Sequence, residues 1–340
     1  MSQWTAYAPS NIALIKYMGK IQASSRVLDS YTHTRDYKNR ATNSSLSVTL
    51  NHLLTRVDID ANAEYKDVWQ PLNEVGWEKI ELSEKGTSRF IEHFKFLKDL
   101  WKIQGFYILR SANNFPSDCG LASSASSFAA LTAAAAKLAM SQNKNLDLSI
   151  DQISRASRCG SGSSIRSFFG PYCVWENDRA YQVDDLTLPL MHQVVVVEDA
   201  KKMVSSSEAH LRVATSPLFE GRVQRAEARL RDLVETLNSA SESFRMADWR
   251  KAFQICWDEF HDMHSLFSTS KPPFSYWTNE TDMVINWAQN YWDQHQDGPI
   301  VTMDAGANVH FLTRVDQASV RAEIAREFSR FKVFTQEGPA

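Results

Sequence analysis

"NFPSDCGLASSASSFAALTAAAAKLA", residues 114–139, decides the fold. Serines at 123, 124, 126 and 127 open an alanine-rich helical stretch, which needs no such run of hydroxyls for its own stability. Pro116 restricts the chain before the turn, and Gly120 permits a backbone angle other residues avoid. Leu121 can anchor the loop inward, leaving backbone N–H groups and hydroxyls of Ser123 and Ser124 at the helix start. Unpaired N–H groups and the helix dipole suit such an end to a phosphate. The same small residues also suit a helix packed closely against a neighbour. This segment alone leaves the two readings level.

Upstream, "SRFIEHFKFLKDLWKIQ" (88–104) has apolar residues at helical spacing, and "GFYILRSA" (105–112) reads as a strand. "SSLSVTL" (44–50) and "LLTRVDID" (53–60) read as two further strands. Downstream, "SIDQISRASR" (149–158) predicts a helix, and "GPYCVWEN" (170–177) with "RAYQVDD" (179–185) a hairpin. "HQVVVVEDA" (192–200) is a continuous apolar run, as in a buried strand. Helical patterns cover 218–240, 247–267 and 279–295. "GPIVTMDAGANVHFLTRV" (298–315) reads as strand–turn–strand, before a final helix near 317–331. This order predicts an α+β chain of two domains, 1–188 and 189–340, with a cleft between them.

The bulk properties agree. The 340 residues, 43% hydrophobic and 23% charged, are ordinary globular composition and favour two domains over one. A net charge of −3 argues against a general nucleic-acid binder. Cys119, Cys159, Cys173 and Cys256 lie far apart with no CxxC pair, which suits reduced thiols rather than zinc or disulfides. The opening "MSQWTAYAPSN" shows no signal-peptide pattern, and no apolar run is long enough to span a membrane. A soluble cytoplasmic protein is expected.

Three other segments bear on chemistry. "RCGSGSSIRSFFG" (158–170) combines two Gly-Ser pairs with Arg166. These suit a backbone that approaches a ligand closely, beside a guanidinium fork for a carboxylate or phosphate. Taken alone, a flexible surface loop with a solvated arginine is the better reading. "APSNIALIKYMGK" (8–20) places Lys16 at the end of an apolar run, at the edge of a core, although most lysines are solvated. "MDAGAN" (303–308) ends an apolar stretch with Asp304 in a turn of a common non-catalytic type.

In combination these segments are specific. "NIALIKYMGK", "NSSLSVTL", "NFPSDCGLASSASSFAAL", "GSGSSIRS", "TSPLF", "MHSLF" with "PPFSY", and "MDAGAN" occur in this order from residue 8 to about 312. Together they resemble the GHMP kinase superfamily, and more closely its diphosphomevalonate decarboxylase family. The resemblance implies a two-domain GHMP kinase-like fold. Its N-terminal domain would be ribosomal protein S5 domain 2-like and its C-terminal domain ferredoxin-like, with the active site between them. It also implies ATP-dependent decarboxylation of mevalonate 5-diphosphate to isopentenyl diphosphate, with Mg2+ accompanying ATP, in a cytoplasmic homodimer.

Carried over to matching positions, the resemblance makes Asp304 the base that takes the substrate hydroxyl proton, with Lys16 beside it. Arg166 engages the substrate carboxylate, with Ser161 adjacent. Asn11, Tyr17, Lys20 and Ser206 fall at the substrate and its diphosphate. Pro116, Gly120, Leu121, Ala122, Ser123 and Ser124 match the ATP phosphate loop.

Four departures stand out. Residues 21–42 exceed the usual connection and read as a mobile flap or, preferably, a solvated insertion. Met18 stands where tryptophan is common, and Ala307 replaces a proline after "DAG". Ser207 falls where many bacterial relatives carry an arginine, which bears on the number of phosphates recognised. A mevalonate 5-phosphate decarboxylase, a mevalonate 3-kinase and a non-catalytic binding protein of the same fold are the alternatives.

Overall fold

The computed structural model describes residues 4–21, 39–115, 123–197 and 203–337. Pro116, Gly120, Leu121, Ala122, Cys119 and most of the 21–42 insertion lie outside the described residues.

The first half is built on strands β1 (Trp4–Ile15), β2 (Ser45–Ala61), β3 (Val68–Pro71) and β4 (Glu78–Lys79), then helix α1 (Glu84–Trp101). Strand β5 (Tyr107–Asn113), helices α2 (Ser123–Gln142) and α3 (Ile150–Arg158), a 3-10 helix (Gly162–Phe168), and strands β6 (Tyr172–Glu176) and β7 (Arg179–Gln182) follow. They form a seven-stranded sheet of order β3-β5-β2-β6-β7, with β1 on β2 and β4 on β5. The two strands expected at 44–50 and 53–60 are one continuous strand, β2. Its pairing with β1 steps from Pro9↔Leu54 to Ser10↔Leu50, so residues 51–53 are surplus on β2. Pro9 has no N–H to give the ladder, and the pairing is interrupted there. Strand β1 itself escapes the sequence pattern, because Pro9 and Ser10 break the alternation and the run from Ile12 is buried throughout.

Helix α2 resolves half of the question raised by residues 114–139. Ala129, Ala130, Ala134 and Ala135 are fully buried, so the alanines serve close packing onto the sheet. Ser126 is also structural: its Oγ accepts from Thr55 Oγ1 at 2.7 Å. Gly160 and Gly162 of the 158–170 stretch are closely packed as well. A Cβ at Gly160 would lie 2.1 Å from the Phe128 ring, and one at Gly162 would lie 2.9 Å from the Tyr17 hydroxyl.

The second half contains β8 (Leu190–Val196), α4 (Ser206–Arg212), α5 (Arg222–Glu242), α6 (Met246–Thr269) and α7 (Asn279–His295). It continues through β9 (Ile300–Thr302), β10 (Val309–Arg314), α8 (Ala318–Glu327) and β11 (Lys332–Thr335). Its sheet has the order β11-β8-β10-β9 and is antiparallel throughout. The sheets do more than flank a cleft. Ile12, Leu14, Leu46 and Val48 of the first sheet share one apolar core with Val194 and Phe311 of the second and with Trp249 and Phe260 of α6.

That core also accounts for the aromatic residues of α7. Trp292 is buried and stacks on Phe253 at 4.5 Å, while Trp287 sits edge-on to Phe311 and Phe328. Tyr291 is partly buried against the same cluster, so these rings pack inward. Among the described residues no helix is long and apolar enough to cross a membrane.

Candidate active site

Strand β1 ends at Ile15, and the next residue, Lys16, turns its side chain into a cavity of about 960 Å³. The Lys16 ammonium donates to Asp304 Oδ1 at 2.7 Å and to Ala13 O at 2.6 Å. Asp304 follows β9 in a tight turn, closed by a bond from Gly306 N to Asp304 O at 2.8 Å. The two charges therefore come from opposite ends of the chain and meet where the sheets abut. Only 2% of the Lys16 side chain is exposed, against 26% of Asp304, which is the member open to the cavity.

Burial draws the Lys16 ammonium below the usual lysine range, and the neighbouring Asp304 charge counters it. Burial alone would lift the Asp304 carboxyl. The charge and hydrogen bond of Lys16, with His310 and Arg166 adding, outweigh that and hold it below the usual carboxylate range. Asp304 is thus an anion at neutral pH.

Arg166 lies in the 3-10 helix and is 3% exposed. Its Nε donates to Asn11 Oδ1 at 3.1 Å and its Nη1 to Ser45 Oγ at 2.8 Å. Burial lowers its pKa, with the Asp304 charge as the main counterweight. Two nitrogens are anchored, and the fork opens toward the cavity that Arg166 helps to line.

Asn11 departs from the expectation of a substrate contact. It is buried, and its amide donates to Ser167 Oγ at 2.8 Å and Ser163 O at 3.3 Å while accepting from Arg166. Its polar atoms are consumed behind the arginine, so it orients Arg166 instead.

The structure brings Tyr17, Lys20, Ser161, Ser206, Ser123 and Ser124 together around the same cavity. The Tyr17 hydroxyl has no hydrogen-bond partner among the described residues, although the ring is packed edge-on to Trp175 at 4.7 Å. Lys20 Nζ donates to Asn39 Oδ1 at 2.7 Å. Burial first, and the positive charge of Arg89 second, lower its pKa to about 8. Ser161 Oγ sits 3.4 Å from both Ser124 Oγ and Ser163 Oγ, which joins the helix start of α2 to the arginine loop. Ser207 also lines the cavity, as does Ala305 in the Asp304 turn. Met18 packs with Met263 and Ala305 in a small apolar cluster.

Several lining residues were not read from the sequence. Lys85 and Arg89 of α1 add positive charge to the cavity wall. His210 accepts from Gly19 N at 3.1 Å and stacks near Tyr17 at 4.2 Å; burial then keeps it neutral, lowering its pKa to about 3. Their signal was weak, because a single basic residue on an amphipathic helix usually marks a solvated face.

An anionic base paired with a buried lysine, a half-anchored arginine fork and a cationic cavity rim make one arrangement. It can hold a multiply charged anion, orient a carboxylate and accept a proton. Comparison with known proteins agrees over the whole chain. Residues 8–186 match the family model described as diphosphomevalonate decarboxylase-like N-terminal domain, and residues 193–337 match the mevalonate 5-diphosphate decarboxylase C-terminal domain. The chain is 30% identical to the diphosphomevalonate decarboxylase of Debaryomyces hansenii, across 96% of this chain and 83% of that protein. Its structure is similar to the crystal structure of a mevalonate diphosphate decarboxylase from Legionella pneumophila, with TM-score 0.84, 42% identity, and 97% and 99% of the two chains covered. A second solved structure, of MDDEF in complex with MVAPP, AMPPCP and magnesium, gives TM-score 0.80 at 27% identity, covering 99% and 98%. The site and both halves of the fold thus lead to one place: this chain belongs to the diphosphomevalonate decarboxylase family.

Proposed function

We propose that Asp304, Lys16 and Arg166 carry out the ATP-dependent decarboxylation of mevalonate 5-diphosphate that is this family's activity. The observation that carries the assignment is the 2.7 Å pair of Lys16 and Asp304, held at the cavity edge beside Arg166. The tertiary hydroxyl of the substrate is a poor leaving group until phosphorylated. Asp304 takes its proton as the oxygen bonds to the γ-phosphorus of ATP and ADP leaves. Phosphate then departs, positive character develops at the substrate carbon, and loss of CO2 supplies the electron pair of the new alkene. The guanidinium of Arg166 holds the carboxylate in the orientation this loss requires. The side chains of Tyr17, Met18 and Phe90 in the cavity lining disfavour water beside the charged intermediate.

Magnesium belongs to this reading as part of the nucleotide substrate. Among the described residues no cluster of three or more His, Cys, Asp or Glu could hold a metal. The serine hydroxyls at the start of α2 fit a metal that arrives on ATP, since Mg2+ commonly takes few protein ligands beside phosphates. When bound, it neutralises charge on the phosphates. The related structure containing MVAPP, AMPPCP and magnesium supports the same set of ligands.

Pro116, Gly120, Leu121 and Ala122 are assigned to the ATP phosphate loop with Ser123 and Ser124, by their place before α2. A domain boundary at residue 188, a homodimeric state and a cytoplasmic location complete the proposal. The location is supported by Cys159, Cys173 and Cys256 being free thiols.

Turnover with Mg-ATP, run separately on mevalonate 5-diphosphate, mevalonate 5-phosphate and mevalonate, tests the assignment. Equal ADP and CO2 from the diphosphate alone is the expected result. Preference for the monophosphate would give Ser207 its meaning, and ADP without CO2 would make the chain a kinase.

Lys20 supplies a separate check. Its ammonium is lost as pH rises through about 8, so the KM for the diphosphate substrate should rise above that pH. In Lys20→Met, KM should be higher at neutral pH and lack this alkaline rise. A wild-type KM that stays flat to pH 9.5 would remove Lys20 from diphosphate binding.

A further inference from the structure

Because β1 ends at Ile15, the backbone N–H and C=O of Lys16 have left the β-ladder and need other partners. The second half of the chain provides them. Glu259 Oε1 accepts from Lys16 N at 2.9 Å, and Arg222 Nη2 donates to Lys16 O at 3.1 Å. Asn43 Nδ2 adds a second donor to that carbonyl at 2.9 Å. Arg222 and Glu259 are themselves joined by two hydrogen bonds, with both side chains wholly buried.

The surrounding charges complete this pair. Arg229 Nη1 reaches Glu259 Oε2 at 2.9 Å, and Asp262 accepts from Arg222, Arg225 and Arg229. Residues 222, 225 and 229 lie on one face of α5, facing residues 259 and 262 of α6. Such a buried pair is a weak source of stability, since well-packed apolar residues often replace one at no loss. What it grips explains it better.

We propose that Glu259 and Arg222 are positioning residues that clamp the Lys16 backbone, so that its ammonium meets Asp304 in the productive geometry. This rests on the reading of Lys16 and Asp304 as the catalytic pair. The clamp touches no reacting atom. It acts on alignment, where a displacement of about 1 Å can cost on the order of 100-fold in rate.

Two variants and one control test it. Glu259→Gln retains an acceptor for Lys16 N but turns an amide toward the Arg222 guanidinium. Its kcat should fall roughly 10- to 100-fold, with KM for both substrates within about threefold. The double variant Arg222→Met with Glu259→Leu replaces the pair by apolar side chains of similar length, a change that commonly preserves folding. It should melt near the parent and show the same kcat loss. A folded double variant with parental kcat would overturn the clamp and leave the pair structural. A kcat loss matched by a parallel rise in KM would also overturn it, because binding would then be the quantity changed. Lys16→Met separates the two claims. Parental kcat in that variant would sink the Lys16 reading itself, whereas impaired Lys16→Met beside active clamp variants would sink the clamp alone.

Discussion

Asp304→Asn lowers turnover by roughly 100- to 10,000-fold, the range a positioned base contributes, and leaves ATP affinity close to that of the parent. The substitution is isosteric, and the asparagine oxygen can still accept from Lys16. What disappears is the anion. Without it no group at that position takes the hydroxyl proton, and the buried Lys16 ammonium loses the charge that chiefly opposes its desolvation. Rapid-quench measurement of ADP, alongside titration of a nucleotide analogue, checks both halves. Parental ADP formation would remove Asp304 from the chemistry, and weakened nucleotide binding would move its role to the ground state. The pH dependence has a defined sign. The Asp304 carboxyl lies below the ordinary carboxylate range, so it stays competent as pH falls to that range and is lost only when protonated below it.

The second large effect is expected at Arg166. Arg166→Lys keeps the charge but replaces a planar fork by a point donor. Arg166 now bonds Asn11 through Nε and Ser45 through Nη1. A lysine ammonium can satisfy at most part of this while also meeting a substrate carboxylate. The loss of one charge-assisted hydrogen bond, about 1.5–3 kcal/mol, corresponds to roughly 10- to 150-fold in kcat/KM. Release of ADP and CO2 should also become unequal, because an unheld carboxylate does not leave in step with phosphate. Measuring both products over one time course is decisive. Near-parental constants with matched products would refute the carboxylate role.

Much of the site could be read from the sequence because its residues sit in unusual company. Lys16 ends an apolar run and Asp304 starts a turn after one, and both prove to be at the edge of the shared core. Arg166 stood out beside serines and glycines, of which Gly160 packs on the Phe128 ring while Gly162 packs on Tyr17 and also lines the cavity. Asn11 was placed one layer too far forward, since a motif gives a residue's position along the chain and not where its amide points. The clamp was hidden for a different reason. Arg222, Arg225 and Arg229 have the spacing of a solvated helix face, and only the pairing of α5 with α6 turns that face inward. Acidic residues at matching intervals on the next helix, Glu259 and Asp262, were the available signal. Strand β1 was missed because its break at Pro9 removes the alternation on which strand reading depends.

The partnership of Lys16 with Asp304 spans 288 positions of the chain. A growing polypeptide leaves the ribosome amino end first, at about 5–20 residues per second. Lys16 therefore emerges long before Glu259, Arg222 or Asp304 exists to receive it. Throughout that interval the ammonium lacks the counter-charge that opposes its desolvation, so burying the end of β1 is unfavourable until Asp304 arrives. Closure there waits for Asp304. A chain cut short by premature termination would carry the serine-rich start of α2 and the Arg166 loop, yet would lack the base needed to spend ATP. On the proposed role of Asp304, nucleotide consumption is conditional on synthesis having passed residue 304.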